Sequence, residues 1–321
     1  MEHPKLPPSQ PVCESHEKVS FGEELLAELR RDGFSAEGFR RFITSAYVRA
    51  RDDLYANPHL ARSILGWGLA FFAAQFVYCA GLSLTLDHRL AVECLAAGSV
   101  WLVFSCVWML AHAGLAFTST GERLERVTLP NLLTLLRSLL IPLIVVSAVS
   151  GHLVLAAVLF AIGGITDILD GVAARGLGQV TKMGTIMDHL VDVLFTAAMF
   201  LSLVWAGVLS PWIGVLVGLR YGLMLIGGAL VCLLRGPVKI KPTTFGKLSG
   251  TILYLMVLLQ IGVEVYGAPR QVLKISELLH VGFTALLSMT VLQVLVIGWY
   301  NLKRKERVEG LPKVVGDVRW P

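Results

Sequence analysis

Eight stretches of roughly 20 predominantly apolar residues run through this chain, at about 63–86, 90–117, 129–149, 152–172, 185–209, 212–234, 248–267 and 277–300. A segment of that length and composition matches the thickness of a bilayer's hydrocarbon layer. Inside that layer every backbone N–H and C=O must find its partner within the protein, which for single segments means a helix. The sequence therefore predicts an all-α, polytopic membrane protein. Composition agrees: 55% of the 321 residues are hydrophobic and only 16% charged, against about 25% charged in soluble domains. The first two stretches are separated by a very short turn at Asp87, His88 and Arg89. The first 60 residues are polar, so no cleavable signal peptide is expected at the start.

The five cysteines, Cys13, Cys79, Cys94, Cys106 and Cys232, are scattered and mostly inside apolar runs. They show no metal-binding spacing and read as small packing residues. The formal net charge of +5 suits an anionic membrane surface. The basic residues are spread through loops without interleaved aromatics, which argues against nucleic acid as a partner. They concentrate before the first stretch (Arg40, Arg41, Arg49, Arg51, Arg62) and in the even-numbered connections (Arg123, Arg126; Arg175, Lys182; Arg235, Lys239, Lys241, Lys247). They recur in the tail (Lys303, Arg304, Lys305, Arg307), whereas the odd connections hold few. Counting positive charge on the inside then places both termini and the even connections in the cytoplasm, at the inner membrane if the cell is bacterial.

Residues 1–19 are rich in proline and charge and are expected to be disordered. Helical patterns follow from Phe21 to Arg31 and from Ser35 to Tyr55, with Ser35 as N-cap and Phe39, Phe42, Ile43 and Tyr47 along one side. This reads as an amphipathic pair lying on the membrane surface and steadying the first span, with a partner-binding role as the alternative. The expected organisation is a polar N-terminal region over 1–60, two additional membrane helices over 61–118, a six-helix domain over 119–302 and a basic tail over 303–321.

The chemistry lies in the fourth connection and its flanks, DILDGVAARGLGQVTKMGTIMDHLVD, residues 167–192. On a helix Asp167, Asp170 and Ala174 share one face, and Gly184, Asp188 and Asp192 share one face of the next helix. A carboxylate at bilayer depth costs on the order of 2.5–3.5 kcal/mol. With no lysine inside these segments, divalent cations such as Mg²⁺ or Mn²⁺ are the simplest remedy for four converging acids. Just upstream, Asn131, Thr134 and Arg137 lie along one side of the third span near its cytoplasmic end. They form either a wall of the site or a set of interior polar groups, Thr134 bonding back to its own helix. His189 points off the aspartate face, and Gln179 and Thr181 are read as loop residues.

The pattern Asp167-x2-Asp170-Gly171-x2-Ala174-Arg175-x8-Gly184-x3-Asp188-x3-Asp192 resembles the signature of the CDP-alcohol phosphotransferase family. The opening Pro130-Asn131-x-Leu133-Thr134-x2-Arg137 also looks like this family, and the likeness covers about residues 123–300. The resemblance implies a six-helix enzyme, usually a homodimer, that uses two divalent metal ions. It implies transfer of a phosphatidyl group from CDP-diacylglycerol to an alcohol, with release of CMP. By the same resemblance Asp167, Asp170 and Asp188 would be metal ligands, and Asp192 would share the metal or act as general base. Gly171, Ala174 and Arg175 would contact the nucleotide and its diphosphate, with Gly184, Asn131 and Thr134 completing that wall. Small residues at Gly171, Ala174 and Gly184 also suit close helix packing, which is an equally good reading of each alone.

The sixth connection, RGPVKIKPTTFGKLSG, bears on the acceptor. Arg220 is an arginine inside an apolar span and needs an anionic partner, and Lys247 stands at the next helix start. Together they would bind a phosphorylated acceptor. The PTTFGKLSG stretch looks like the matching region of phosphatidylglycerophosphate synthases and of this family's cardiolipin synthases, which makes glycerol 3-phosphate the first expectation. Inositol phosphate, serine and phosphatidylglycerol are the alternatives. A rival from another class is a cation or proton transporter with the aspartates as a relay, which would call for mid-membrane carboxylates and broken helices.

Overall fold

In the computed structural model, residues 26, 28–118, 123–176, 181–235, 244–267 and 270–303 are described. Among them the chain is helical, and its β-type pairings are two isolated bridges, Phe117 with Arg123 and Thr118 with Thr181. Helix α1 covers Ala36–Tyr55, α2 Pro58–Thr85, α3 His88–Ala111, α4 Leu129–Val149, α5 Leu153–Gly176 and α6 Lys182–Trp205. Then come α7 at Pro211–Gly222, a π-helical turn at Leu223–Gly227, α8 at Gly228–Arg235, α9 at Thr244–Tyr266 and α10 at Arg270–Lys303. Eight spans are long and apolar enough to cross a membrane, as the eight apolar stretches predict. The third coincides with its predicted bounds, 129–149, whereas the last helix runs well past the predicted 277–300.

Capping chemistry sets several of these ends. Ser35 accepts from the Gly38 N–H and starts α1, as expected from the sequence. Asp87 caps α3, which makes the tight α2–α3 turn possible. Thr181, read from the sequence as a loop residue, is the buried N-cap of α6, its hydroxyl accepting from the Gly184 N–H at 2.9 Å. Gly151, at φ +83°, closes the four-residue-scale turn between α4 and α5 in a conformation other residues rarely adopt. The sixth span is not the single helix expected. It breaks into α, π and α segments around Gly222, Gly227 and Gly228.

The spans face lipid over much of their surface, and α4 is the exception. It packs against α3, α5 and α6, with 61% of its apolar window buried. Around it the interior is stitched by aromatic contacts: Phe160 stacks on Phe195 and on Tyr254, and Phe200 meets Phe283 edge to face. Tyr254 also donates its hydroxyl to the Phe160 carbonyl at 2.8 Å, tying α9 to α5. Trp205, Trp212 and Tyr266 stand exposed at the ends of α6, α7 and α9, a placement suited to the membrane interface. Phe39, Ile43 and Tyr47 of α1 are likewise exposed, in line with an amphipathic helix on the membrane surface. Residues 1–19, Gln179, Lys239 and Lys241 lie outside the described residues.

Candidate metal and diphosphate site

Three helices build the site. Helix α4 enters with Pro130 in its first turn, which brings Asn131, Thr134 and Arg137 down one side. Helix α5 carries Asp167 and Asp170 towards its end, and α6 carries Asp188 and Asp192 from its start. At about 1.5 Å of rise per residue, all four acids lie roughly 9–15 Å along their helices from the ends that flank the connection. They form a cluster at one end of the bundle.

One oxygen from each of Asp167, Asp170 and Asp188 lies within 4.8 Å of the others. That spread is close to the roughly 4.2 Å spanned by opposite oxygens on one Mg²⁺ ion. Hard carboxylate donors at this spacing fit a divalent cation. Asp192 stands beside them through a shared partner, the Arg137 guanidinium. Arg137 Nη1 reaches Asp167 at 2.7 Å and Nη2 reaches Asp188 at 3.2 Å, and the same side chain contacts Asp170 and Asp192 directly. The arginine side chain is 1% exposed and that of Asp170 is 7%, whereas those of Asp167, Asp188 and Asp192 are 42–50% exposed. The site is thus a cup, with Arg137 and Asp170 as its floor and three half-open carboxylates as its rim.

This geometry corrects one part of the sequence argument. Countercharge for the acids is present within the protein, supplied by an arginine from a third segment. One guanidinium against four carboxylates still leaves a surplus of negative charge that divalent ions would balance. The i, i+3, i+6 spacing pointed Arg137 to this side of α4, but its position between the two aspartate pairs is a matter of helix packing that periodicity does not encode.

Thr134 bonds back to its own helix and also lies beside an aspartate of the cluster. Its hydroxyl lies 3.1 Å from the Pro130 carbonyl and 3.4 Å from Asp170 Oδ2. Asn131 is 2% exposed, and its Nδ2 has no hydrogen-bond partner among the described residues. Its Oδ1 packs where a Cβ on Gly184 would stand, so Gly184 is the residue that lets α6 close on α4. Gly171 follows Asp170 in α5 and is partly buried. Ala174 and Arg175 continue that helix, but their side chains lie outside the described set. His189 is exposed.

The two expected acceptor residues are separated by their surroundings. Arg220 is buried at 8% exposure, sits 5.1 Å over the Tyr221 ring, and its Nη1 has no hydrogen-bond partner among the described residues. Lys247 is exposed in the first turn of α9, and among the described residues no ion pair joins it to the carboxylates.

Comparison with known proteins agrees with the geometry. The sequence model of the CDP-alcohol phosphatidyltransferases matches residues 127–286. A CDP-diacylglycerol–glycerol-3-phosphate 3-phosphatidyltransferase of Aquifex aeolicus is 35% identical over 136 residues, which are 42% of this chain and 75% of that protein. The chain belongs to the CDP-alcohol phosphatidyltransferase family. A probable cardiolipin synthase (CMP-forming) of Drosophila melanogaster is 34% identical over 39% of this chain and 38% of its own length. A probable phosphatidylglycerophosphate synthase of Mycobacterium tuberculosis is 33% identical over 30% of this chain and 51% of that protein. The chain thus spans about two-fifths of the fly relative and half of the mycobacterial one. No solved structure matches it. The family match begins at Val127, so α1, α2 and α3 lie ahead of the shared segment.

Proposed function

We propose that this protein transfers a phosphatidyl group from CDP-diacylglycerol to an alcohol and releases CMP, with glycerol 3-phosphate as the first-choice acceptor. The observation that carries this reading is the meeting of four aspartates from α5 and α6 around one buried arginine, with three of the acids open to an incoming ligand. Asp167, Asp170 and Asp188 would hold divalent cations, Mg²⁺ or Mn²⁺, in a two-ion site shared with Asp192. Bound there, the ions supply neutralisation of the diphosphate's charge. The unpartnered Asn131 Nδ2 and the neighbouring Thr134 suit polar contacts to the nucleotide, and Gly171, Ala174, Arg175 and Gly184 leave room and charge for its approach.

In this reading the acceptor's hydroxyl oxygen attacks the phosphorus that bears diacylglycerol, and the bond from that phosphorus to the CMP oxygen breaks. CMP leaves with the electron pair, and the hydroxyl proton passes to the Asp192 carboxylate. General-base assistance of this kind contributes about 10²–10⁴-fold. The buried Arg220, short of a partner for Nη1, supports an anionic acceptor, with Lys247 at the same end of the bundle. Phosphatidylglycerol, itself a phosphate ester of glycerol, is the second acceptor. It is favoured by the likeness to proteins named cardiolipin synthase. Positive charge around the even connections supports a cytoplasmic opening and cytoplasmic termini, and the family resemblance supports a homodimer.

The test is CMP release by purified protein in detergent, supplied with CDP-diacylglycerol, Mg²⁺ or Mn²⁺ and one acceptor at a time. Release that depends on glycerol 3-phosphate supports the first reading, and release only with phosphatidylglycerol shifts it to the second. Asp192→Asn should lower turnover at least about 100-fold while keeping part of the metal-induced stabilisation. Normal turnover by that variant removes Asp192 as base.

A further inference from the structure

Residues ahead of the family segment are fastened to the helices of the site at several points. Val127 donates its N–H to Ser63 Oγ of α2 at 3.1 Å, and Asn57 Nδ2 donates to the Leu124 carbonyl at 2.7 Å. Asn57 is 5% exposed and also caps α2, accepting from the Leu60 N–H. Arg123 donates to the Asp53 carbonyl at the end of α1. Thr118 pairs with Thr181, the residue that caps α6. The approach to α4 and the start of α6 are therefore both held by the N-terminal helices.

Deeper in the bundle the attachment falls beside the arginine. Trp101 Nε1 of α3 donates to Ser138 Oγ at 2.9 Å, and the Ser138 and Ser105 hydroxyls are 3.1 Å apart. Ser105 Oγ gives its proton to the Trp101 carbonyl at 2.9 Å, so the Ser138 hydroxyl donates to Ser105. The result is a closed circuit that leaves α3 at the indole, passes through Ser138 and returns to the backbone of Trp101. Chains of this kind polarise one another in a low-dielectric interior. Ser138 follows Arg137 in sequence and precedes Pro142 by four residues. Proline has no N–H to offer the carbonyl four residues back, so α4 lacks one of its own hydrogen bonds at the turn that presents Arg137.

We propose that the α2–α3 hairpin braces the metal site: Trp101 and Ser105, acting through Ser138, are positioning residues that hold Arg137 in register with the four carboxylates. This gives residues 58–111 a role in the site although the family segment excludes them. The inference rests on the metal-binding reading of the aspartates, and its test reads metal binding directly.

The full-length protein, as wild type, Trp101→Phe, Ser138→Ala and the double variant, is titrated with Mg²⁺ while its thermal unfolding is followed. Ser138→Ala removes the acceptor hydroxyl with little change of volume, whereas Trp101→Phe removes the N–H together with one of the two indole rings. Each single variant should raise the Mg²⁺ concentration that gives half of the stabilisation by about 3–10-fold, the scale of one lost hydrogen bond. The double variant should be no worse than the weaker single, since the residues act as one unit. Trp67→Phe, in the same hairpin but exposed, should leave the titration where it is. Unfolding that shifts without Mg²⁺ while the titration midpoint stays at the wild-type value would falsify the brace and leave plain helix packing. A wild-type protein that Mg²⁺ does not stabilise overturns the metal reading, and the brace with it.

Discussion

Arg137 Nη1 lies 2.7 Å from Asp167 Oδ1, although the arginine side chain is 1% exposed and the aspartate side chain 50%. The pair runs from the interior of the bundle to its mouth. A fixed positive charge at the floor therefore draws the rim acids inwards and leaves their outer oxygens for a ligand. Removing one partner of a buried pair usually harms more than the pair contributes, because the remaining charge is stranded.

Arg137→Gln should accordingly destabilise the metal-free protein by about 3–5 kcal/mol. It should also enlarge the rise in unfolding temperature on adding Mg²⁺, since the ions would then replace the countercharge that Arg137 gives the four acids. Thermal unfolding in EDTA and in Mg²⁺ measures both. An unchanged unfolding temperature in EDTA would show that the arginine contributes nothing to holding the acids together.

Chelation should abolish CMP release, with recovery on adding back Mg²⁺ or Mn²⁺. Ca²⁺ should restore little, because its ligands stand at about 2.3–2.6 Å and a wider shell is needed than for Mg²⁺ at about 2.0–2.1 Å. Initial rates across a metal series settle this, and full activity in excess EDTA would rule out a metal-dependent reaction.

Gly184→Ala should lower kcat/KM about tenfold, equivalent to about 1.4 kcal/mol. The added methyl meets the Thr181 hydroxyl at 2.9 Å and the Asn131 amide closer still, so the α6 cap and Asn131 must both give way. Michaelis constants for CDP-diacylglycerol give the readout. A variant with wild-type kinetics would mean that α4 and α6 can separate there without consequence.

Arg220→Met should raise KM for glycerol 3-phosphate about tenfold or more and leave KM for CDP-diacylglycerol nearly unchanged, as expected for loss of a charge-assisted bond to one substrate. Arg220→Lys should restore part of the loss. Equal effects on the two substrates would assign Arg220 to packing over Tyr221 instead.

The membrane spans and the aspartate pairs could be read from sequence because both are periodic: hydropathy fixes a span, and i, i+3 or i, i+4 spacing fixes a face. The bounds of helix α4 are legible for a further reason, since Pro130 marks its start and a mostly apolar run, interrupted by Asn131, Thr134, Arg137 and two serines, ends at Val149. What escaped was set by contacts between distant segments. Nothing local shows that Arg137 would stand between Asp167 and Asp192, or that Trp101 would reach Ser138 across 37 positions. The break in the sixth span was missed because Gly222, Gly227 and Gly228 are common in membrane helices and need not interrupt them. Thr181 was passed over as a cap because the residues after it, Lys182 and Met183, do not announce a helix start.

In the proposed function the carboxylate cup, two to three turns in from the helix ends, meets a lipid where its phosphates join its chains. A nucleotide-linked lipid can thus deliver its diphosphate by gliding sideways within one leaflet, its tails still dissolved among their neighbours. Collision becomes a search over a plane, and the traffic of reactants is governed by the fluidity of the surrounding sheet.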